Sequence, residues 1–435
     1  MNGTLAKGIA VGSLAGLLFG FDTAVIAGTT QALTSTFSLS PTSLGFTVSA
    51  ALWGTLLGAM FAGSPGDRFG ARNCLRLIAV LYVLSSLICY ASPSLGFLIF
   101  GRVIAGIAIG ASSVLAPIYL AEIAPADRRG ALVGAFQFNI VAGILIAYLS
   151  NFMIGQMHFG ESEWRIKFLV AIVPSLILFL LAFTIPNSPR WLAIKGKDAE
   201  VLAVLIQIGD VNPQLTFNGY VESRAQNKDK KLDFKTHFKP IMLAFGIAAF
   251  NQLSGINAIL YYLNDIFAAA GFAKVSADAQ SVIIGATNLL FTLLALTIID
   301  KVGRRKLLIV GSYGLIMSLV ATAYIQLTGN NKPMLLWMLI LFIASFAFSQ
   351  GAVIWVYISE IFPNEVRARG QSIGSSTHWL FDALIAFSFP ILAQKSTGLP
   401  FVFFAIMMAV QLFVVSKYFP ETKGVVLEEM EHKIR

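Results

Sequence analysis

Several side chains in this sequence have the chemistry to bind a ligand while sitting in apolar stretches. Asp22 is the clearest, in Leu17-Leu18-Phe19-Gly20-Phe21-Asp22-Thr23-Ala24. An ionisable residue inside an apolar helix is costly, and so marks a candidate site by default. Burial disfavours a carboxylate and a nearby cation favours it, so an acid held between the two can exchange a proton near physiological pH. The cation available is Arg102, at the start of the fourth apolar stretch. An Asp that takes a proton and releases an Arg is a coupling switch. The same two residues also suit a fixed structural ion pair, and the sequence leaves both readings open.

Asp382 is a second acid in an apolar run, one helical turn after His378 and beside Trp379. At a spacing of four, His378 and Asp382 share a helix face. Such a pair can relay protons or hold a polyol, or simply line a wet cavity while bonding to each other. A third group is neutral: Asn251-Gln252-Leu253-Ser254-Gly255-Ile256-Asn257, followed by Tyr261 and Tyr262. Amides carry donors and acceptors together and so match hydroxyl groups without charge. Gln137 and Asn288 are isolated amides in other apolar stretches, and Trp355 and Trp379 offer flat faces for the C–H groups of a sugar ring. Together these suit a neutral polyhydroxylated ligand; any one amide alone suits helix-to-helix hydrogen bonding equally well.

The elements that position these residues are written twice. Asp67-Arg68-Phe69-Gly70-Ala71-Arg72 returns as Asp300-Lys301-Val302-Gly303-Arg304-Arg305. Ala121-Glu122-Ile123-Ala124-Pro125, closed by Arg129-Gly130, returns as Ser359-Glu360-Ile361-Phe362-Pro363, closed by Arg369-Gly370. Pro186-Asn187-Ser188 is echoed by Pro420-Glu421-Thr422. The anchor offsets of 233, 238 and 234 residues imply two copies of one helical unit. In a membrane, paired halves are the usual architecture of a transporter whose site lies between them. The same register sets Gly20 and Asp22 against Gly255 and Asn257, so the polar residue of the first copy can ionise and that of the second cannot.

Composition agrees with a membrane protein: 57% of the chain is apolar and only 12% charged. A spanning helix needs about 20 apolar residues, and apolar runs fall near 6–28, 44–65, 74–92, 97–120, 131–155 and 167–186. A second set falls near 239–268, 279–299, 306–327, 334–358, 371–393 and 399–418. The expected fold is therefore all-α, with twelve transmembrane helices in two pseudo-symmetric six-helix bundles. The domain boundaries expected are a first bundle over 1–187, a cytoplasmic linker with short helices over 188–238, a second bundle over 239–418 and a cytoplasmic tail over 419–435. Asp198 to Ile208 reads as one linker helix, and the basic run from Lys228 to Lys239 reads as solvated or lipid-contacting.

The net charge of +9 does not call for nucleic acid, because all but six of the 31 Lys and Arg residues lie at the termini or after even-numbered spans. Arg102, Arg165, Lys167, Lys274, Lys332 and Lys395 are the exceptions. That positive-inside bias places both termini in the cytoplasm. Asp22 and the length of the first run argue against a cleaved leader. Cys74 and Cys89 lie at the two ends of one predicted helix, so neither a disulfide framework nor a metal site is expected.

These motifs, in this order, resemble the sugar porter family of the major facilitator superfamily over essentially the whole chain, and within it the bacterial xylose–proton and hexose–proton symporters. The motifs that carry the likeness are Gly66 to Arg72, Pro189-Arg190-Trp191, Gln252 to Asn257, Asp300 to Arg305, and Pro420 to Gly424. The resemblance implies alternating access in a bacterial inner membrane, and a carrier that works as a monomer without a cofactor. It implies sugar contacts at Phe19, Gln137, Gln252, Asn257, Tyr261, Asn288, Trp355 and Trp379, to which the local pattern adds Asn251 and His378. It assigns Asp22 and Arg102 to proton coupling, and a cytoplasmic latch to Asp67, Arg68, Arg72, Glu122, Arg129, Asp300, Arg304, Arg305, Glu360 and Arg369. Four positions depart from the family pattern: Asn251 for a first Gln, His378 for Gln or Asn, Asn187 for an acid, and Asn73 for a second Arg.

The expected activity is proton-coupled import of a monosaccharide, a pentose or hexose such as xylose or glucose. The alternatives are a passive sugar uniporter in which Asp22 is structural, and a non-transporting sugar sensor. A sensor usually needs long signalling tails, and the stretch after Gly424 is short. Four His, two Cys and no convergent nucleophile–base spacing argue against an enzyme.

Overall fold

The computed structural model describes residues 3–125, 129–226, 232–363 and 366–424, with the side chains of 129–133, 223–226 and 368 outside the description. The described residues form helices and no strand. Among the described residues, twelve helical segments are long and apolar enough to cross a membrane: Gly3–Gly28, Pro41–Phe61, Ala71–Ala91, Leu95–Ile123, Gly134–Gln156 and Gly160–Ala182, then Phe238–Tyr261, Lys274–Val302, Arg304–Thr328, Met334–Glu360, Arg369–Lys395 and Leu399–Tyr418. Large apolar side chains along them stay exposed, among them Leu180 at 65%, Met317 at 64% and Phe413 at 60%. Such a surface suits hydrocarbon, and in hydrocarbon only helices satisfy their own backbone groups this way.

The chain forms two compact units. One comprises residues 1–23, 53–146 and 165–229; the other comprises 24–52, 147–164 and 230–435. In the first, the third and fourth spans pack along each other around Leu75, Ile78, Ala108, Ala116 and Leu120. In the second, the ninth span packs on the twelfth and the seventh on the eleventh.

Small residues decide how close the helices of the first unit come. A Cβ on Gly20 would collide with the carbonyl of Ile140, and one on Gly143 with the carbonyl of Leu17. The first and fifth spans therefore cross backbone against backbone, an approach that only glycine permits. The second and fourth spans do the same through Gly54 against Val103, Gly58 against Ile107, and Gly110 against Thr55. The first crossing sets Phe19 and Asp22 beside the helix that carries Gln137. The second fixes the helix that carries Arg102.

Several spans are not single helices. The apolar run read as one segment over 239–268 is broken into helices Phe238–Leu253, Ile256–Tyr261 and Leu263–Ala269. Gly255 adopts a φ of +85°, and a Cβ there would run into the ring of Phe404. Both facts restrict that position to glycine. The tenth span breaks similarly at Ser349. Hydropathy cannot register such breaks, because the residues on either side remain apolar.

Three short helices follow the sixth span: Pro189–Ile194, Asp198–Ile208 and Pro213–Gln226. Ser188 caps the first by accepting from the Trp191 N–H at 3.2 Å, with Pro189 beginning the helix, the usual start signal. Gly209 ends the second in the left-handed conformation. Leu192, Val201, Leu205 and Ile208 give these helices a small core of their own. Of the basic run over Lys228 to Lys239, residues 228–231 lie outside the described residues.

Because the first and fifth spans have no slack where they cross, Gly20→Val should destabilise the protein by about 1–3 kcal/mol through overpacking. A lowered thermal midpoint of the purified protein in detergent is the expected result; an unchanged midpoint would mean that the crossing is not constrained.

Candidate functional site

In the first unit, Arg102 donates from one terminal nitrogen to both carboxylate oxygens of Asp22, each at 3.0 Å. Asp22 is 7% exposed and Arg102 3%. The guanidinium carbon lies 5.4 Å from the ring centroid of Phe168, so its flat face rests against an aromatic. The Arg102 Nε is buried with no hydrogen-bond partner. The pair is thus two charges removed from water and held together by a single nitrogen rather than a two-pronged fork. That arrangement is worth less than ideal fork geometry, and neutralising the acid would release the cation. Phe19 and Gln137, both half-buried, stand on the two helices of the glycine crossing.

In the second unit, the broken seventh span and the eleventh span share one continuous polar network. Asn257 Nδ2 donates to Gln252 Oε1 at 3.2 Å and to Asp382 Oδ2 at 2.8 Å. The Tyr261 hydroxyl donates to the same Oδ2 at 3.1 Å. Gln252 Nε2 donates to Asn251 Oδ1 at 3.3 Å and lies 3.0 Å from His378 Nε2. Because Gln252 Oε1 is occupied by Asn257, its amide nitrogen must face the histidine, whose ring nitrogen then accepts and is uncharged in this arrangement. The break at Ser254-Gly255 is what lets Gln252 reach His378 while Asn257 and Tyr261 reach Asp382. Below it, the Tyr262 hydroxyl donates to the Ala386 carbonyl at 2.8 Å, pinning the seventh span to the eleventh.

His378 and Asp382 therefore do not bond to each other, as their spacing of four allows; each reaches across to the seventh span instead. Trp355 and Trp379 flank the His378 ring at centroid distances of 5.1 and 5.0 Å. Trp355 is 37% exposed and free to offer a face, whereas Trp379 is 4% exposed. Asn288 is buried at 8% on the eighth span.

The duplicated charged motifs form matching clusters. In the second unit, Glu360 receives Arg304 on both oxygens, at 2.8 and 3.2 Å, and the Thr422 hydroxyl at 2.6 Å. Arg304 also pairs with Asp300 at 2.8 Å. Glu421 caps the ninth span by accepting the backbone N–H groups of Arg304 and Arg305 at 2.8 and 3.1 Å. The Arg305 side chain donates to the Ser416 carbonyl. In the first unit, Glu122 accepts from the Ser188 hydroxyl at 2.5 Å, as Glu360 does from Thr422. Tyr119 donates to the Pro186 carbonyl at 3.0 Å, and its counterpart Tyr357 to the Pro420 carbonyl at 3.3 Å.

Two differences between the copies bear on these clusters. Ala71 stands where the second copy has Arg304, and Asn187 where it has Glu421. The first cluster thus lacks both the guanidinium fork and the capping carboxylate. Arg72 Nε and Asn187 Oδ1 are buried without partners there, and both residues line one cavity of about 260 Å³ with Glu200 and Gln207. Asp67 and Arg68 are exposed, with Arg68 over the Phe69 ring. Arg369 is exposed, and the Arg129 side chain lies outside the described residues.

Some groups are not legible in the sequence. Lys274 pairs with Glu163 at 2.8 Å, and Asn264 donates to Asp278 at 2.5 Å. Tyr148 donates to the Leu260 carbonyl and Asn151 to that of Val25. These contacts link distant segments and carry no spacing signal. The tyrosines Tyr119 and Tyr357 do carry one, since they repeat at the same offset as Glu122 and Glu360.

Twelve helical spans with duplicated charged turns and buried polar clusters define a multi-pass membrane carrier of the major facilitator fold. The family described as sugar (and other) transporter matches residues 9–433. The D-xylose-proton symporter of Escherichia coli (strain K12) is 34% identical over 470 residues, covering 97% of this chain and 94% of that protein. The arabinose-proton symporter of Bacillus subtilis is 35% identical, with 96% and 92% covered. The glucose transporter GlcP of Staphylococcus epidermidis is also 35% identical, with 98% and 96% covered. Among solved structures, the inward-open conformation of the xylose transporter XylE from E. coli superposes with a TM-score of 0.88 at 31% identity, covering 99% of both chains. The chain belongs to the sugar transporter family.

The difference between the two clusters has a measurable consequence. Asn187→Glu should supply the carboxylate that caps the matching helix in the second copy, raising stability by about 1 kcal/mol. The reverse change, Glu421→Asn, should lower it by a similar amount. Thermal midpoints in detergent check both; a destabilised Asn187→Glu protein would show that the two clusters are not built alike.

Proposed function

We propose that this protein is a proton-coupled importer of a neutral monosaccharide, a pentose or hexose, working by alternating access. The observation that carries the reading is the buried Asp22–Arg102 pair. In it one proton decides whether an acid and a base are held together or apart, and the change in ion pairing is a differential energy that can bias two conformations. In this scheme Asp22 is loaded with a proton on the outer side, Arg102 is freed, and the pair re-forms once the proton leaves on the inner side. The names of the relatives, symporters of xylose and arabinose and a glucose transporter, support a pentose or hexose as cargo.

We assign sugar contacts to Phe19 and Gln137 in the first half, and to Asn251, Gln252, Asn257, Tyr261, Asn288, Trp355, His378 and Trp379 in the second. Uncharged amides and hydroxyls beside an aromatic face match a polyol better than an ionic ligand. The charged clusters at Asp67 to Arg72, Glu122, Asp300 to Arg305 and Glu360 are read as the latch of one conformation. Charge placement supports cytoplasmic termini. The functional division follows the repeat, with halves over 1–187 and 239–418, and the carrier is taken to act as a monomer in a bacterial inner membrane.

A passive uniporter is the second reading, and one observation favours it: both Asp22 oxygens are already occupied by Arg102, as in a fixed pair. Sugar uptake by proteoliposomes under an inward proton gradient separates the two. Asp22→Asn should abolish accumulation above equilibrium while leaving counterflow of labelled sugar. Accumulation undiminished in Asp22→Asn would remove the coupling role and leave the uniporter.

A further inference from the structure

Asp382 has a different problem from Asp22. It is 1% exposed, and no Lys or Arg pairs with it among the described residues. Its Oδ2 accepts from Asn257 and Tyr261, both neutral, and its Oδ1 is buried with no hydrogen-bond partner. Lys239 lies in the first turn of the seventh span, and Arg367 begins the eleventh. The seventh span presents Asn251, Gln252, Asn257 and Tyr261 nearby, and the Tyr262 hydroxyl is committed to Ala386. On its own helix His378 is uncharged as bonded, and Arg369 and Lys395, each 13 residues away, lie roughly 20 Å along the axis. The tenth span presents Tyr357, committed to Pro420, and Glu360, held by Arg304. The twelfth presents Lys417 at its far end, against Phe413 and Tyr418. The second span approaches at Gly45 and carries no charged residue over Pro41–Phe61.

An ionised carboxylate so placed must keep water on its free oxygen or lose its charge, because an isolated ion removed from water is far more costly than a neutral acid. A ligand that fills this network displaces that water. We propose that Asp382 is a second protonation site of the carrier, built into the sugar-binding network itself, which takes up a proton as sugar replaces water there. The two donors hold Oδ2 as the carbonyl oxygen of the acid, and the proton sits on Oδ1, where it donates to a sugar hydroxyl. No bond other than the O–H forms, and the proton comes from solvent. This rests on the sugar-carrier reading above and adds to it a pH dependence of affinity that does not involve Asp22.

The two acids do different work. Protonating Asp22 opens an ion pair and so changes which forms of the carrier reorient. Asp382 holds no cation, so its proton opens nothing; it changes how tightly sugar binds. The sign follows from the uptake of a proton on binding. Affinity is full at low pH and falls as pH rises through the titration of the sugar-free acid, by up to about tenfold per pH unit for one linked proton.

Titration calorimetry of the purified protein with D-xylose, D-glucose and arabinose, in paired buffers of different ionisation enthalpy, reads the protons taken up per sugar bound. Asp22→Asn should still take up protons on binding between about pH 5 and 9 and keep its pH-dependent affinity. Adding Asp382→Asn should remove both. Should that double variant fail to fold, Tyr261→Phe serves instead: it removes a donor that favours the anion, so the affinity midpoint should move to higher pH. Binding by Asp22→Asn without proton uptake, or an unmoved midpoint in Tyr261→Phe, would overturn this proposal alone. Failure of the unaltered protein to bind any of the three sugars would overturn the sugar-carrier reading, and this proposal with it.

Discussion

A charge that has left water must find a counter-charge or be neutralised, and the polar interior of this carrier is arranged around that constraint. Removing an ion from water costs several kcal/mol even after the surroundings relax. Asp22 and Arg102 meet it by pairing at 3.0 Å. The pairing depends on where the helices stand, and the helices stand where glycine lets them. Gly20 and Gly143 bring the first and fifth spans into backbone contact, and Gly54, Gly58 and Gly110 do the same for the second and fourth. A buried pair is weak evidence for stability, since well-packed apolar residues often serve as well.

The polar network around Asp382 in the second unit has no Lys or Arg in it among the described residues. Its amides, tyrosine and histidine form a chain in which each donor finds an acceptor, from Asn251 through Gln252 and Asn257 to Asp382. A hydrogen-bonded network of this kind is rigid and presents its donors and acceptors in fixed places, while the Asp382 Oδ1 is left without a partner. The break in the seventh span is part of that network. One uninterrupted helix would keep Gln252, Asn257 and Tyr261 in a single regular array. The turn at Ser254 and Gly255 instead divides their reach between His378 and Asp382. Backbone irregularity at membrane depth is tolerated where it lines protein or a cavity, and this one falls among the residues that carry the polar chemistry.

How much of this was legible in the sequence follows from which signals are local. The spans are, because about 20 apolar residues in a row are visible without knowing any neighbour. The linker helix Asp198–Ile208 is also local, bounded by an acidic first turn and a terminal glycine. The Asp22–Arg102 contact is non-local, yet each member stands out locally, because Asp22 is the one acid in the first apolar stretch and Arg102 lies off the basic side of the charge pattern. Asp382 shows what spacing leaves open. Spacing along its helix points to His378, yet both side chains find their partners across the helix interface, which no spacing encodes. The break at Gly255 is hidden for a related reason, since hydropathy averages over the residues that make it. The Glu163–Lys274 pair joins segments more than a hundred residues apart, with nothing in either segment to announce the other.

The internal repeat offers a control that a single domain lacks, because one sequence contains two versions of the same charged turn. Where the versions agree, the geometry agrees: Ser188 and Thr422 donate to Glu122 and Glu360 at nearly equal distances, and Tyr119 and Tyr357 reach the matching carbonyls of Pro186 and Pro420. Where they differ, the structure differs in the direction the chemistry dictates. Glu421 closes a helix end that Asn187 leaves open, and Arg304 forks onto Glu360 where Ala71 has nothing to offer Glu122. The two charged clusters are therefore bonded unequally within their own units. The first copy is then where a charged side chain can be exchanged at least cost to the fold, because the fork and the cap of the second are already absent there.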